Sequence, residues 1–165
     1  MMVHFTNGTT EFLRQLKEKE QAKIWVFEGA EGALAYTEEP NAARFTTPRT
    51  YERVTGTGDI PDEGYIAINN IPVTDEGRPI FEDVFKKRAG KIDQTPGFKA
   101  LRVLRPRSGN TYLVLTAWED KQHFEDWKAS ESFQHAHKKD AGQPKRPPFS
   151  AGPAYVTTYF IDNEA

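Results

Sequence analysis

The chain of 165 residues contains no cysteine. This excludes disulfides, thiolate-bound zinc, iron–sulfur clusters and cysteine nucleophiles. No apolar run approaches the roughly 20 residues of a membrane-spanning helix. The opening residues 1–7 lack the charged and apolar regions of a secretion signal, so the cytoplasm is the default expectation. Charge of one sign is also scarce: 22 Lys+Arg stand against 24 Asp+Glu, and a net of −2 argues against nucleic-acid binding driven by bulk attraction. There is no P-loop, GxGxxG, GxSxG or HExxH motif. The four histidines are scattered at positions 4, 123, 135 and 137, and the i, i+2 spacing of the last two does not converge on one ion from a helix.

What charge exists is unevenly placed. Residues 1–63 hold 7 basic and 11 acidic side chains, whereas residues 64–165 hold 15 and 13. A Gly-, Pro- and acid-rich stretch, TGTGDIPDEG at 55–64, reads as a connection between the two parts. This places a boundary after Glu63, giving an N-terminal segment 1–63 and a domain 64–165. About 60 residues is near the lower limit for independent stability, so the first part is expected to lean on the second.

Periodicity predicts a strand at 3–5 and a helix from Thr9 or Thr10 to about residue 20. Two strands follow at 24–27 and 33–36, and the segment 51–54 has no clear pattern. The second part reads as strand 65–73, helix from 75 or 77 to about 89, strand 98–105 and strand 111–118. Two short helices near 121–129 and 131–139, a Pro-rich loop at 142–153 and a strand at 155–161 complete it. That order is a ferredoxin-like α+β unit. The first part begins in the same order and then runs out, a truncated half-unit. A four-stranded sheet with helices on one face needs cover on the other. The first part is expected to supply it as an intramolecular pseudo-dimer of the dimeric α+β barrel type.

Few side chains here carry chemistry. His4 alternates with Val3 and Phe5 and is expected to face solvent. In the last predicted helix Phe133, Ala136 and His137 share a face, so His137 is the histidine turned toward an apolar interior. Its bland reading is a core-edge histidine with a satisfied hydrogen bond. Trp118 and Trp127 read as packing residues. Asn69 shares a strand face with Ala67, Ile71 and Val73, where an amide is out of place and needs partners, while Asn70 points to the opposite face. Lys86, Lys87 and Arg88 suit a solvated helix C-terminus.

The segments INNIPVTDEGRPIFEDVFKKRAG, TPGFKALRVLRP, YLVLTAWEDKQHFEDWKASESFQHAHKK and YVTTYF resemble the IsdG-type haem-degrading monooxygenases of the antibiotic biosynthesis monooxygenase superfamily. The most specific piece runs from Trp118 through Phe124, Trp127, Ser130 and Phe133 to Ala136, His137 and Lys138. With its N-terminal extension the chain resembles the longer, two-part members known from bacilli. The resemblance implies a catalytic triad of Asn69, Trp127 and His137. His137 would be the ligand to haem iron, Trp127 would press on the porphyrin face, and Asn69 would offer an amide donor at the distal side. Phe85, Phe124 and Phe133 would line the pocket. Haem would be both substrate and cofactor, with dioxygen and electrons from an external reductase, and the products would be iron and an opened tetrapyrrole. It also implies a monomer with a pseudo-dimeric core, a homodimer being the alternative. Two other functions remain open at this point. One is a haem carrier, sensor or stress-signalling module without turnover. The other is cofactor-free oxidation of an aromatic substrate.

Overall fold

The computed structural model describes residues 1–20, 23–39, 45, 48–88, 90–130 and 149–163. The described elements are β1 (Met2–Gly8), α1 (Thr10–Lys19), β2 (Trp25–Gly29), β3 (Gly32–Thr37), β4 (Arg49–Gly58) and β5 (Gly64–Pro72). They continue with α2 (Arg78–Arg88), β6 (Phe98–Pro106), β7 (Thr111–Trp118), α3 (Lys121–Lys128) and β8 (Tyr155–Ile161). The eight described strands close into one antiparallel barrel in the order β1-β3-β2-β8-β5-β7-β6-β4. The first four strands therefore lie as β4-β1-β3-β2 and the last four as β8-β5-β7-β6, the same relative order. The ladders β2–β8 and β4–β6 join the two sets.

Closure follows from side-chain alternation. On β5, Ile66 and Ile68 point into the barrel and pack with Val3, Phe5, Phe27, Tyr36, Leu113 and Leu115. Tyr65, Ala67 and Ile71 point outward to other clusters. Each fully buried aliphatic or aromatic side chain contributes about 1.5–3 kcal/mol, and strands from both halves of the chain share the interior.

The helices lie outside the barrel. α1 starts where the Thr9 hydroxyl accepts the Phe12 N–H at 3.1 Å and buries Leu13 against Val26, Ala33 and Ala35. α2 buries Phe81 over Val103 and Tyr112. Asp120 caps α3 by accepting the His123 N–H at 2.9 Å, and α3 packs on β5 and β7.

Two expectations change. The first part does not run out after three strands: the segment without a clear pattern is β4, ten residues long and bulged between Arg53 and Thr55. Its polar, Gly- and Thr-rich sequence hides a strand whose pairing comes from β1 and β6, far away in sequence. His4 is not solvated. It is buried because β1 is flanked by β3 and β4, pairing with Thr37 and Thr50. Its Nδ1 lies 2.9 Å from the Thr50 hydroxyl. The helix predicted at 131–139 lies outside the described residues.

The barrel also holds a buried ion pair. Arg102, inward on β6 and 2% exposed, donates through Nε to Glu38 Oε2 at 2.7 Å and through Nη1 to the carbonyls of Thr57 and Leu101 at 3.0 and 2.9 Å. The Tyr36 hydroxyl donates to the same carboxylate oxygen at 2.8 Å. Burial, reinforced by the Glu38 charge, keeps the Tyr36 phenol protonated far above its ordinary range.

Candidate functional site

The outer face of β5 separates two aromatic clusters. On one side Tyr65, Ala67, Trp118 and Phe124 are buried together, with Trp127 packed against them. Phe124 and Trp127 are three residues apart on α3 and so share one helix face. The Trp127 ring lies 5.3 Å from Trp118 and 6.2 Å from Phe124. On the other side Ile71, Val73, Phe81 and Tyr112 form a second cluster, with the Phe85 ring tilted against Phe81 at 4.6 Å. Ile92 and Phe98 touch both clusters.

Asn69 sits between them. Its strand neighbours are Val114 on β7 and Val156 on β8, and Val156 is more than half exposed. The Asn69 Oδ1 is buried without a hydrogen-bond partner. Such an atom costs about 1–3 kcal/mol and is rare enough in a folded protein to require an explanation. Asn70 differs. Its Nδ2 faces the inside of the barrel and donates to the carbonyls of Ile68 and Tyr155 at 3.1 and 3.2 Å and to the Thr157 hydroxyl at 3.3 Å. Asn70 thus ties β5 to β8, whereas Asn69 offers a polar atom with nothing to bind.

α2 is fixed in place electrostatically as well as by packing. Glu82 accepts both Nε, at 2.8 Å, and Nη2 of Arg105. It also accepts the Tyr112 hydroxyl, and Arg105 Nη1 reaches Glu52 at 2.9 Å. The Arg105 hydrogen bonds hold the Glu82 carboxyl below its ordinary range. Burial, with Glu82 alongside, pushes Tyr112 up to about 12.

Of the residues expected at the site, Asn69, Phe85, Phe124 and Trp127 flank this one outer face. His137 and Phe133 lie outside the described residues. Among the described residues no group of three or more His, Cys, Asp or Glu side chains is placed to hold a metal. The face is apolar and aromatic on both flanks with an unpaired amide oxygen between. Sequence reasoning missed Phe98 and Ile92, which join the clusters, and the fixed backing that Trp118 gives Trp127. A second tryptophan nine residues before Trp127 was the available signal.

Residues 64–139 match the model of the antibiotic biosynthesis monooxygenase family. Over 129 residues the chain is 26% identical to a heme-degrading monooxygenase of Listeria monocytogenes, covering 78% of this chain and 77% of that protein. Over 142 residues it is 25% identical to the signal transduction protein TRAP of Staphylococcus epidermidis, covering 86% and 85%. A solved structure of a major regulator of staphylococcal pathogenesis superposes with a TM-score of 0.83 at 22% identity, covering 97% of this chain and 98% of that one. The heme-degrader of Mycobacterium tuberculosis, solved with two hemes in its active site, superposes with a TM-score of 0.50 at 26% identity. It covers 61% of this chain and 98% of its own.

Proposed function

We propose that the protein is a haem-degrading monooxygenase of the two-part type. The observation that carries this reading is the buried, unpartnered Asn69 Oδ1 on the face shared with Trp127. The similarity to a heme-degrading monooxygenase over more than three quarters of the chain supports it. In this reading residues 64–165 form the haem-binding domain. Residues 1–63 stand in for a second subunit, which the repeated strand order of the two halves supports. The chain is then a monomer in the cytoplasm, fed by an external reductase. No described helix is long and apolar enough to cross a membrane.

Haem supplies the redox-active iron and is itself the molecule oxidised, with dioxygen as co-substrate. His137 would hold the haem iron, through a neutral imidazole nitrogen. Trp127, backed by Trp118 and Phe124, presents its bulk to the macrocycle. Asn69 places a side-chain amide within the pocket, where it orients a polar group of the bound substrate. Phe85, Phe124 and Phe133 exclude water from the apolar faces.

Haemin titration tests this reading. A Soret shift with 1:1 stoichiometry is expected, lost in His137→Ala. Trp127→Phe is expected to keep binding and lose turnover. Retained affinity in His137→Ala would remove the assignment of His137 as the residue that holds the iron. One observation favours a second reading, a haem-binding signalling protein without turnover: the similarity to the signal transduction protein TRAP over 86% of the chain. That reading predicts a haem complex stable to dioxygen and reductant.

A further inference from the structure

We propose that Trp118 is a positioning residue for Trp127, and that the Thr116 hydroxyl sets it. This rests on the haem reading above and extends it to residues that no ligand touches directly. A side chain that presses on a flat ligand needs a support that does not yield. Trp127 is half-buried, and its ring lies against Trp118 at 5.3 Å with the planes inclined by 35°. Trp118 is 0% exposed and is held from three directions. Its Nε1 donates to Thr116 Oγ1 at 2.9 Å. Phe98 meets it edge-on at 5.8 Å and Phe124 packs at 5.8 Å.

The hydrogen bond does more than satisfy a buried indole N–H. The Thr116 hydroxyl donates in turn to the Ala67 carbonyl at 3.4 Å, two residues from Asn69 on the same strand. A continuous path therefore runs from the strand that carries Asn69, through Thr116 and Trp118, to the ring of Trp127. The angle of Trp127 and the place of Asn69 are set by one rigid unit. This account gives Trp118 a role that packing alone does not: it fixes how far and at what tilt Trp127 meets the macrocycle.

The test compares Thr116→Val and Trp118→Phe with Leu115→Val, a truncation inside the barrel on the opposite face of β7. In the protein without haem, Thr116→Val and Trp118→Phe are expected to lose the far-UV circular dichroism couplet of the paired indoles, and Leu115→Val to keep it. With haemin, all three are expected to bind within about threefold of wild type. Thr116→Val and Trp118→Phe are expected to lose about tenfold in kcat with little change in KM, the pattern of a contact made late in the reaction. They are also expected to alter the electron paramagnetic resonance spectrum of the ferric complex and the ratio of opened-ring products. Thr116→Val keeps the indole and so remains informative should Trp118→Phe not fold. A wild-type haem complex whose spectrum and product ratio are unmoved in both variants overturns the role of Trp118 and leaves the haem reading standing. Failure of the wild type to form a haem complex overturns both.

Discussion

Replacing Arg102 by methionine removes a guanidinium buried inside the barrel while keeping most of the side chain's length. Three hydrogen bonds vanish, one of them to a carboxylate and only 2.7 Å long. The Glu38 carboxylate then keeps only the Tyr36 hydroxyl among those partners. Breaking a buried ion pair on one side costs about 3–5 kcal/mol. The Glu38 side chain is 16% exposed at the end of the barrel, so water relieves part of its isolation and the low end, about 3 kcal/mol, is expected. For a chain of this size each kcal/mol lowers Tm by about 2–4 °C, giving a fall of about 6–12 °C. Glu38→Gln keeps an acceptor but strands the more deeply buried Arg102 charge, its side chain 3% exposed, and is expected to cost about as much, about 3 kcal/mol. The double variant Arg102→Met/Glu38→Gln leaves no stranded charge, so its cost should fall short of the sum of the singles by at least about 1 kcal/mol. Urea unfolding followed by tryptophan fluorescence measures all three. A drop in Tm of less than about 2 °C for Arg102→Met, or strict additivity in the double variant, would refute the reasoning.

The two asparagines should separate in opposite ways. Asn69→Ala deletes an unpartnered oxygen and is expected to leave stability within about 0.5 kcal/mol of wild type or raise it, while haem turnover falls. Asn70→Ala deletes the donor that ties β5 to β8 and is expected to cost about 1–2 kcal/mol, read by thermal unfolding. Glu82 has a folded pKa below its unfolded one, so its contribution is fully present above the unfolded pKa near 4.3 and is lost as pH falls through the folded pKa. Glu82→Gln should therefore flatten the acid limb of the stability curve. Its cost at neutral pH should be only about 1–2 kcal/mol, because Arg105 is one-third exposed and water screens the pair. Gly97 has φ +79°, and a Cβ there would lie 2.2 Å from His123 Cγ. Gly97→Ala is expected to displace the start of α3 and lower Tm by several degrees, about 2 kcal/mol of strain or more.

The second half of the fold was legible because its elements are strongly periodic. Strands β5 to β8 and helices α2 and α3 lie where alternation and helical spacing put them, and the alternation of Tyr65 through Ile71 assigned Asn69 and Asn70 to opposite faces. β4 was not legible, because its side chains are mostly polar and its pairing is entirely long-range. The Arg102–Glu38 pair joins residues 64 positions apart, and no local pattern announces such a contact. His4 was misread for the same reason: alternation tells which face a side chain takes, not whether neighbouring strands shield that face. Of the candidate site, the family resemblance proposed Trp127 and Asn69. That Asn69 Oδ1 has no partner, and that Trp118 backs Trp127, required coordinates.

Anaerobic reconstitution with haemin, followed by dioxygen and a reductant, tests the central claim most directly. The account predicts a 1:1 Soret-absorbing complex that is stable until both are present. The band then collapses, iron is released and an open tetrapyrrole chromophore appears. A Soret band that persists under dioxygen and reductant, with no iron released, would contradict it.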